Sequence, residues 1–253
     1  MEHVTVKDLV LGSGGVLVSG SEEAPVSHIR LDSRQVEPGD LFVPLLGERV
    51  DSHRFLPQVM DQGAAAVLTS QELTLPEGGA GCAVIRVEDT KKALQKIGSY
   101  LRDRLTLPLV GVTGSVGKTT TREMIAAALS ARFRVYKTPG NSNSQVGVPV
   151  TLSEITENDQ VGVIELGMSE PGEMTVIANI ARVDMAVITN IGITHIGQLG
   201  SQENILREKL HITDGMKDGG LLILNGDDPL LKGVQGREGL RTVYYGTGEN
   251  CDF

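Results

Sequence analysis

The 253-residue chain contains no tryptophan, only two cysteines and no surplus of cationic residues. Each shortage excludes something. A net charge of −9 argues against a nucleic-acid surface, which needs clustered Lys and Arg to displace counterions, although a locally positive pocket can still hold a nucleotide. No apolar run approaches bilayer-spanning length, so no membrane insertion is expected. Glu2 and His3 stand where a secretory leader would need a basic segment and then an apolar one, and the expected location is the cytoplasm. Cys82 and Cys251 are far apart and lack metal-site spacing, so they read as reduced thiols. No Ser–His–Asp or Cys–His arrangement stands out, which favours phosphoryl transfer, a chemistry of positioning and charge, over a protein nucleophile.

What the chain does have is glycine, 31 residues of it, which predicts many tight turns and loops that approach ligands closely. A hydrophobic content of 40% with 22% charged residues is that of a soluble globular protein, and the length suits two domains. Residues 1 to about 86 alternate short apolar runs with turns: Val16–Val18, Ile29–Leu31, Leu41–Leu45, Ala65–Leu68 and Ala83–Val87 are strand candidates. A helix is expected over Arg54–Gln62, capped by Ser52 and closed by Gly63. Asp32, Ser33, Arg34, Asp51 and His53 then fall on loops at strand ends, where α/β domains bind ligands. Thr90–Asp103 has helical spacing and reads as a bridge between domains.

Beyond it, strand and helix alternate. The pairs are Leu109–Val112 with Thr119–Ala131, Val161–Leu166 with Gly172–Ala181, Met185–Ile191 with Ser201–Met216, and Leu221–Leu224 with Pro229–Val234, before a last strand at Thr242–Tyr245. Near-continuously apolar strands in such an order predict a parallel sheet covered on both faces, with ligands outside the carboxyl ends of its strands.

The stretch LVGVTGSVGKTTT, Leu109 to Thr121, organises this second half. A short buried strand feeds a glycine loop that opens a helix, so bare N–H groups and the positive helix end converge on an anion. Gly114, Ser115, Gly117, Lys118, Thr119 and Thr120 are the candidate phosphate-binding residues, with the Thr119 hydroxyl available to magnesium. The spacing departs from the common P-loop, whose first glycine would fall at Val112, but keeps the Gly117-Lys118-Thr119 core.

Other candidates sit at neighbouring strand ends. Glu165 closes VGVIEL, the position from which a carboxylate reaches a magnesium ion bridging phosphates. His195 follows AVITNIGIT, as a metal contact or a packed histidine. By spacing alone Lys209 reads as a snorkelling surface charge, and Asp227-Asp228 as a helix cap. Asn141, Ser142, Asn143 and Ser144 form a polar loop able to hold a sugar, an amide or a phosphate, or simply to turn the chain.

These phrases together resemble the Mur ligase family: TGSVGKTTT, TPGNSNSQVGVPVTL, IELGMSEPGEM, ITNIGITHIGQLGSQENILREKL and ILNGDDPLL, with LDSRQVEPGDLFVPLLGERVDSHRF near the start. The asparagine loop followed by GVPVTL resembles the member that joins D-alanyl-D-alanine to UDP-N-acetylmuramoyl-tripeptide. The resemblance implies a small N-terminal α/β UDP-sugar-binding domain over residues 1–86 and a P-loop parallel-sheet ATPase domain over residues 87–253. It implies Lys118 and Thr119 on ATP phosphate and magnesium, Glu165 on Mg2+, and His195 on a second Mg2+. Lys209 would be the family's carbamylated lysine, an anion helping to hold that second ion, and with Lys118 and His195 it makes the catalytic set. Ser33 and Arg34 would bind the UDP-sugar, and Asn141 and Asn143 would line the central cleft. Ser52 and Ser144 depart from the family pattern, standing for a glycine and an asparagine.

The implied reaction is ATP-dependent amide formation through an acyl phosphate, in peptidoglycan synthesis, by a monomer. The family has a third, C-terminal domain; the chain is expected to lack it and to have little or no ligase activity alone. A folylpolyglutamate-type ligase and a non-catalytic nucleotide-binding remnant are the alternative readings.

Overall fold

The computed structural model describes residues 1, 3–47, 50–72, 81–249 and 251–253. Glu48 and Arg49, within the first family-like phrase, lie outside that set. Two compact units result: Met1–Arg104 with Leu152–Thr156, and Leu105–Thr151 with Glu157–Phe253.

The first unit begins with α1 (Val6–Ser13), which the apolar spacing had not suggested. Thr5 caps it in a reciprocal box with Asp8, and Gly14, at φ 70°, ends it in the left-handed conformation. Strands β1 (Val16–Ser19), β2 (Ile29–Arg30), β3 (Leu41–Phe42), β4 (Ala66–Thr69) and β5 (Ala83–Arg86) form one sheet in the order β1-β5-β4-β3-β2. Only β1 runs antiparallel to its neighbour. Helix α2 (Leu56–Asp61) covers Phe42, Val67 and Val84 with Leu56 and Val59, a cluster that also buries Cys82. Burial pushes that thiol up to about 12, which makes it inert. The cap of the turn before α2 is Asp51, which accepts from the His53 N–H, and not Ser52. Helix α3 (Thr90–Arg104), read as a bridge, packs on α1, where Asp8 accepts from the Tyr100 hydroxyl and from Arg104, both at 2.9 Å.

The second unit is a wholly parallel six-stranded sheet. Its strands are β6 (Leu109–Thr113), β7 (Val135–Lys137), β8 (Val161–Glu165), β9 (Met185–Ile188), β10 (Leu221–Asn225) and β11 (Arg241–Tyr245), in the order β11-β10-β9-β6-β8-β7. Every residue of β6 and β8 is buried, as strands covered on both faces require. The helices are α4 (Lys118–Ser130), α5 (Gly147–Ser153), α6 (Glu173–Ala181), α7 (Ile196–Leu199) and α8 (Gln202–Leu210). The chain leaves β8 on one side of β6 and re-enters as β9 on the other. That reversal opens a crevice at the carboxyl end of β6, where the glycine loop begins.

One expected helix does not form. Residues 229–233 are turns and 234 has no regular structure. Asp228 does supply cap chemistry, its Oδ1 accepting from the Leu230 and Leu231 N–H groups, but Gly233 at φ 83° breaks so short a segment before a helix can propagate. Among the described residues no helix is long and apolar enough to cross a membrane.

Candidate functional site

The glycine loop leaves β6 and is fixed from the neighbouring strand end. Asn190 accepts from the Val116 N–H at 3.0 Å and donates back to the Val116 carbonyl at 2.9 Å, while Thr189 Oγ1 donates to that carbonyl at 2.6 Å. Ser115 N–H donates to the Asn190 carbonyl. Sequence reasoning missed Thr189 and Asn190 as parts of the loop's support. A Cβ on Gly114 would sit 1.9 Å from Thr189 Oγ1, so only glycine permits this approach. Gly117, at φ 82° and with open space beside it, turns the chain into α4.

The loop carries unused polar capacity. Ser115 Oγ is buried without a hydrogen-bond partner, and the Thr120 side chain is exposed. Lys118 folds back to donate to the Gly114 carbonyl at 3.0 Å. An orphaned hydroxyl, a bare-backbone cradle and a lysine on one rim suit a polyphosphate.

Glu165 is the centre of the polar network and is 1% exposed, not solvated. Its Oε2 accepts from Thr119 Oγ1 at 3.0 Å and from Arg122 Nη1 at 3.1 Å, and its Oε1 accepts from Asn143 Nδ2 at 2.8 Å. The Asn143 side chain therefore reaches the carboxylate, whereas Asn141 is exposed on the same loop. Arg122 was not singled out from sequence. Its place four residues after Lys118, on the same face of α4, was the available sign. Among the described residues no three His, Cys, Asp or Glu side chains converge as a metal cluster. A magnesium ion here would rest on Thr119 and Glu165 together with phosphate and water oxygens, which is how that ion is ordinarily held.

Lys209 departs from its surface reading. It is buried on α8, and its ammonium makes no hydrogen bond or ion pair with another described residue. Burial first, and the charge of Lys118 second, lower its ammonium to about 7 against the opposing pull of Glu208. His195 takes the left-handed conformation, φ 67°, at the start of α7. Burial, then Lys209 and Lys118, push its imidazole below the usual value. Lys118, Lys209 and His195 thus share one electrostatic environment. Glu208 spends its carboxylate elsewhere, accepting from the Gly172 and Met174 N–H groups at 3.0 Å to fix the start of α6.

In the first unit, Ser33 and Arg34 line a cavity of about 500 Å³ with Leu31, Asp32, Ser52 and Phe55. The Arg34 guanidinium forks onto Asp32, and this pairing lowers the Asp32 carboxyl to about 2. Beside it lies a Ser–His–Asp chain that the sequence reading had not found. Asp51 Oδ1 is 2.6 Å from His53 Nδ1, and His53 Nε2 is 3.1 Å from Ser70 Oγ. It lacks the makings of a nucleophile. Nε2 also accepts the Ser70 N–H at 3.2 Å, and the imidazole side chain is 3% exposed. The arrangement latches the 51–53 turn to the end of β4.

Comparison with known proteins finds family matches in both halves of the chain. The Mur ligase middle domain matches residues 112–253, and the Mur ligase family catalytic domain matches residues 25–101. A UDP-N-acetylmuramoyl-tripeptide--D-alanyl-D-alanine ligase of Bacillus subtilis is 42% identical over 98% of this chain and 54% of its own length. The protein of the same name from Escherichia coli is 35% identical over 79% of this chain and 43% of its own. Among solved structures, MurF from Acinetobacter baumannii superposes with a TM-score of 0.87 at 31% identity, covering 96% of this chain and 53% of that one. MurF ligase from Thermotoga maritima in complex with ADP gives 0.77 at 30% identity, covering 87% and 50%. The chain spans about half the length of the curated relatives it matches.

Proposed function

The chain belongs to the Mur ligase family, and on that premise we propose that it carries the UDP-sugar-binding and ATP-binding parts of a cytoplasmic ligase joining D-alanyl-D-alanine to UDP-N-acetylmuramoyl-tripeptide. The observation that carries the reading is the Glu165 carboxylate, buried at a strand end and bonded to Thr119 in the first turn of the helix that the glycine loop opens.

On this reading each residue has a task. Backbone N–H groups of Gly117, Lys118 and Thr119, with the Ser115 hydroxyl, hold the β and γ phosphates of ATP, those of Ser115 and Val116 being given to Asn190. Lys118 leaves the Gly114 carbonyl and spreads its charge over the phosphoryl group as that group passes to the substrate carboxylate, forming an acyl phosphate. Thr119 and Glu165 would hold Mg2+, which when bound offsets charge on the phosphates. Lys209, lowered to about 7, has an amine free to react with carbon dioxide, and its carbamate with His195 would hold a second ion. Asn143, tied to Glu165, aligns the asparagine loop with the phosphate site. Ser33, Arg34 and Asn141 would meet the UDP-muramoyl substrate. The protein works by orientation, and no side chain attacks.

The identities of 42% and 35% with tripeptide ligases favour this substrate over a folate. Calorimetric titration with UDP-N-acetylmuramoyl-tripeptide tests it. Saturable binding, weakened by Arg34→Ala, is expected; no heat with this ligand beside saturable heat with a folate would overturn the reading.

A further inference from the structure

The guanidinium of Arg122 is buried against the carboxylate that the proposed function gives to Mg2+. Their side chains are 4% and 2% exposed and 3.1 Å apart. One nitrogen, Nη1, serves both Glu165 Oε2 and, at 2.9 Å, the carbonyl of Gly140 at the head of the asparagine loop; Nη2 donates to Glu123 at 2.7 Å. Nε is left buried without an acceptor. A buried arginine that keeps its place although its Nε–H finds no acceptor is held there by the carboxylate's charge.

We propose that Arg122 is a positioning residue, a built-in counter-ion that orients Glu165 for the metal yet keeps a bare divalent cation weakly bound until nucleotide arrives. The inference rests on the ATP-binding reading of this site. A carboxylate offers about four lone-pair sites, and Thr119, Arg122 and Asn143 occupy three of them. A bare dication entering beside Thr119 would face the positive charge of Arg122, whose burial leaves it poorly screened by water. The phosphates of a nucleotide remove that conflict, since their charge outweighs the guanidinium's. Arg122 can then yield Oε2 while keeping Gly140 and Glu123 as acceptors, so the loop bearing Asn143 stays tied to α4. Metal and nucleotide are thereby taken up together.

The test uses Mn2+ as the probe, read by electron paramagnetic resonance of the free ion, on the nucleotide-free 253-residue chain and on Arg122→Gln. Binding of a fluorescent ATP analogue with Mg2+ is measured on the same parent preparation. The variant is expected to bind Mn2+ about tenfold tighter without nucleotide, because one repelling unit charge has gone. Arg122→Lys, which keeps the charge, is expected to stay within about twofold of the parent, and a gain there as large as in Arg122→Gln would overturn the charge argument. Unchanged or weaker Mn2+ binding in Arg122→Gln, with the parent binding nucleotide, overturns the inference. If that variant does not fold, absence of any gain in Arg122→Met, which also removes the charge, overturns it. A parent that binds no nucleotide brings down the proposed function itself, and this inference with it.

Discussion

Thr119 Oγ1 donates to Glu165 Oε2 at 3.0 Å, joining the first turn of α4 to the last residue of β8 across 46 positions of sequence. Parallel pairing of β6 with β8, in which Val112 lies opposite Glu165, makes this meeting possible. Strand register therefore decides that the carboxylate ends beside the glycine loop and not one residue short of it.

Gly114→Ala should displace the loop, because its Cβ would lie 1.9 Å from Thr189 Oγ1 and its φ of 151° disfavours a side chain. Thermal stability should fall by about 1–3 kcal/mol, as for other insertions into packed sites. Affinity for an ATP analogue, followed by fluorescence, should fall at least about tenfold, since a loop shifted by an ångström loses its aim. Unaltered binding would mean that the loop does not cradle phosphate.

Lys209 makes stability depend on pH. Its ammonium is lowered from 10.5 to about 7 on folding, so between those values the unfolded chain carries the extra proton. Stability contributed by this group therefore rises with pH from about 7 towards 10, and the full penalty of burying the charge is felt below 7. Lys209→Met, compared with the parent by calorimetry in carbon dioxide-free buffer, should raise Tm by about 3 °C or more at pH 6.5, on the usual scale for a chain of this size. The advantage should shrink by pH 9. An equal difference at both pH values would contradict a titrating, buried amine.

His53 and Ser70 should prove structural. A fluorophosphonate probe should leave Ser70 unlabelled, because the His53 Nε2 lone pair is shared with the Ser70 N–H. His53→Ala should cost about 1–3 kcal/mol by leaving that N–H unmet, and it should weaken UDP-muramoyl-tripeptide binding through Ser52 and Phe55, which line the same cavity. Covalent labelling of Ser70 would make the triad an active one.

The second unit was largely legible because buried parallel strands read as continuous apolar runs, and Leu109–Val112 and Val161–Leu166 differ from the observed strands by one residue each. Pro229–Val234 was not, since a plausible cap at Asp228 says where a helix can start and not whether six residues can sustain one. Helix α1 escaped notice although Thr5 and Asp8 spell its capping box. At the site, Lys118, Thr119 and Glu165 could be named from local pattern alone. Arg122 and the burial of Lys209 could not, because a charged side chain on a helix is ordinarily solvated. Here burial arises only when α4, the asparagine loop and β8 converge on one guanidinium, or when α8 packs inward. The His53 latch was hidden for a similar reason, its partner Ser70 lying 17 positions away on another strand end.

The central claim is that the loop from Gly114 to Thr119 grips a nucleotide's phosphates with Lys118 and a divalent cation. Titrating the chain and Lys118→Ala with a fluorescent, non-hydrolysable ATP analogue and Mg2+ addresses it most directly. The parent should saturate, and Lys118→Ala should bind at least about tenfold more weakly, the loss of one charge-assisted contact. Equal affinity in the two proteins, or none in the parent, would contradict the account.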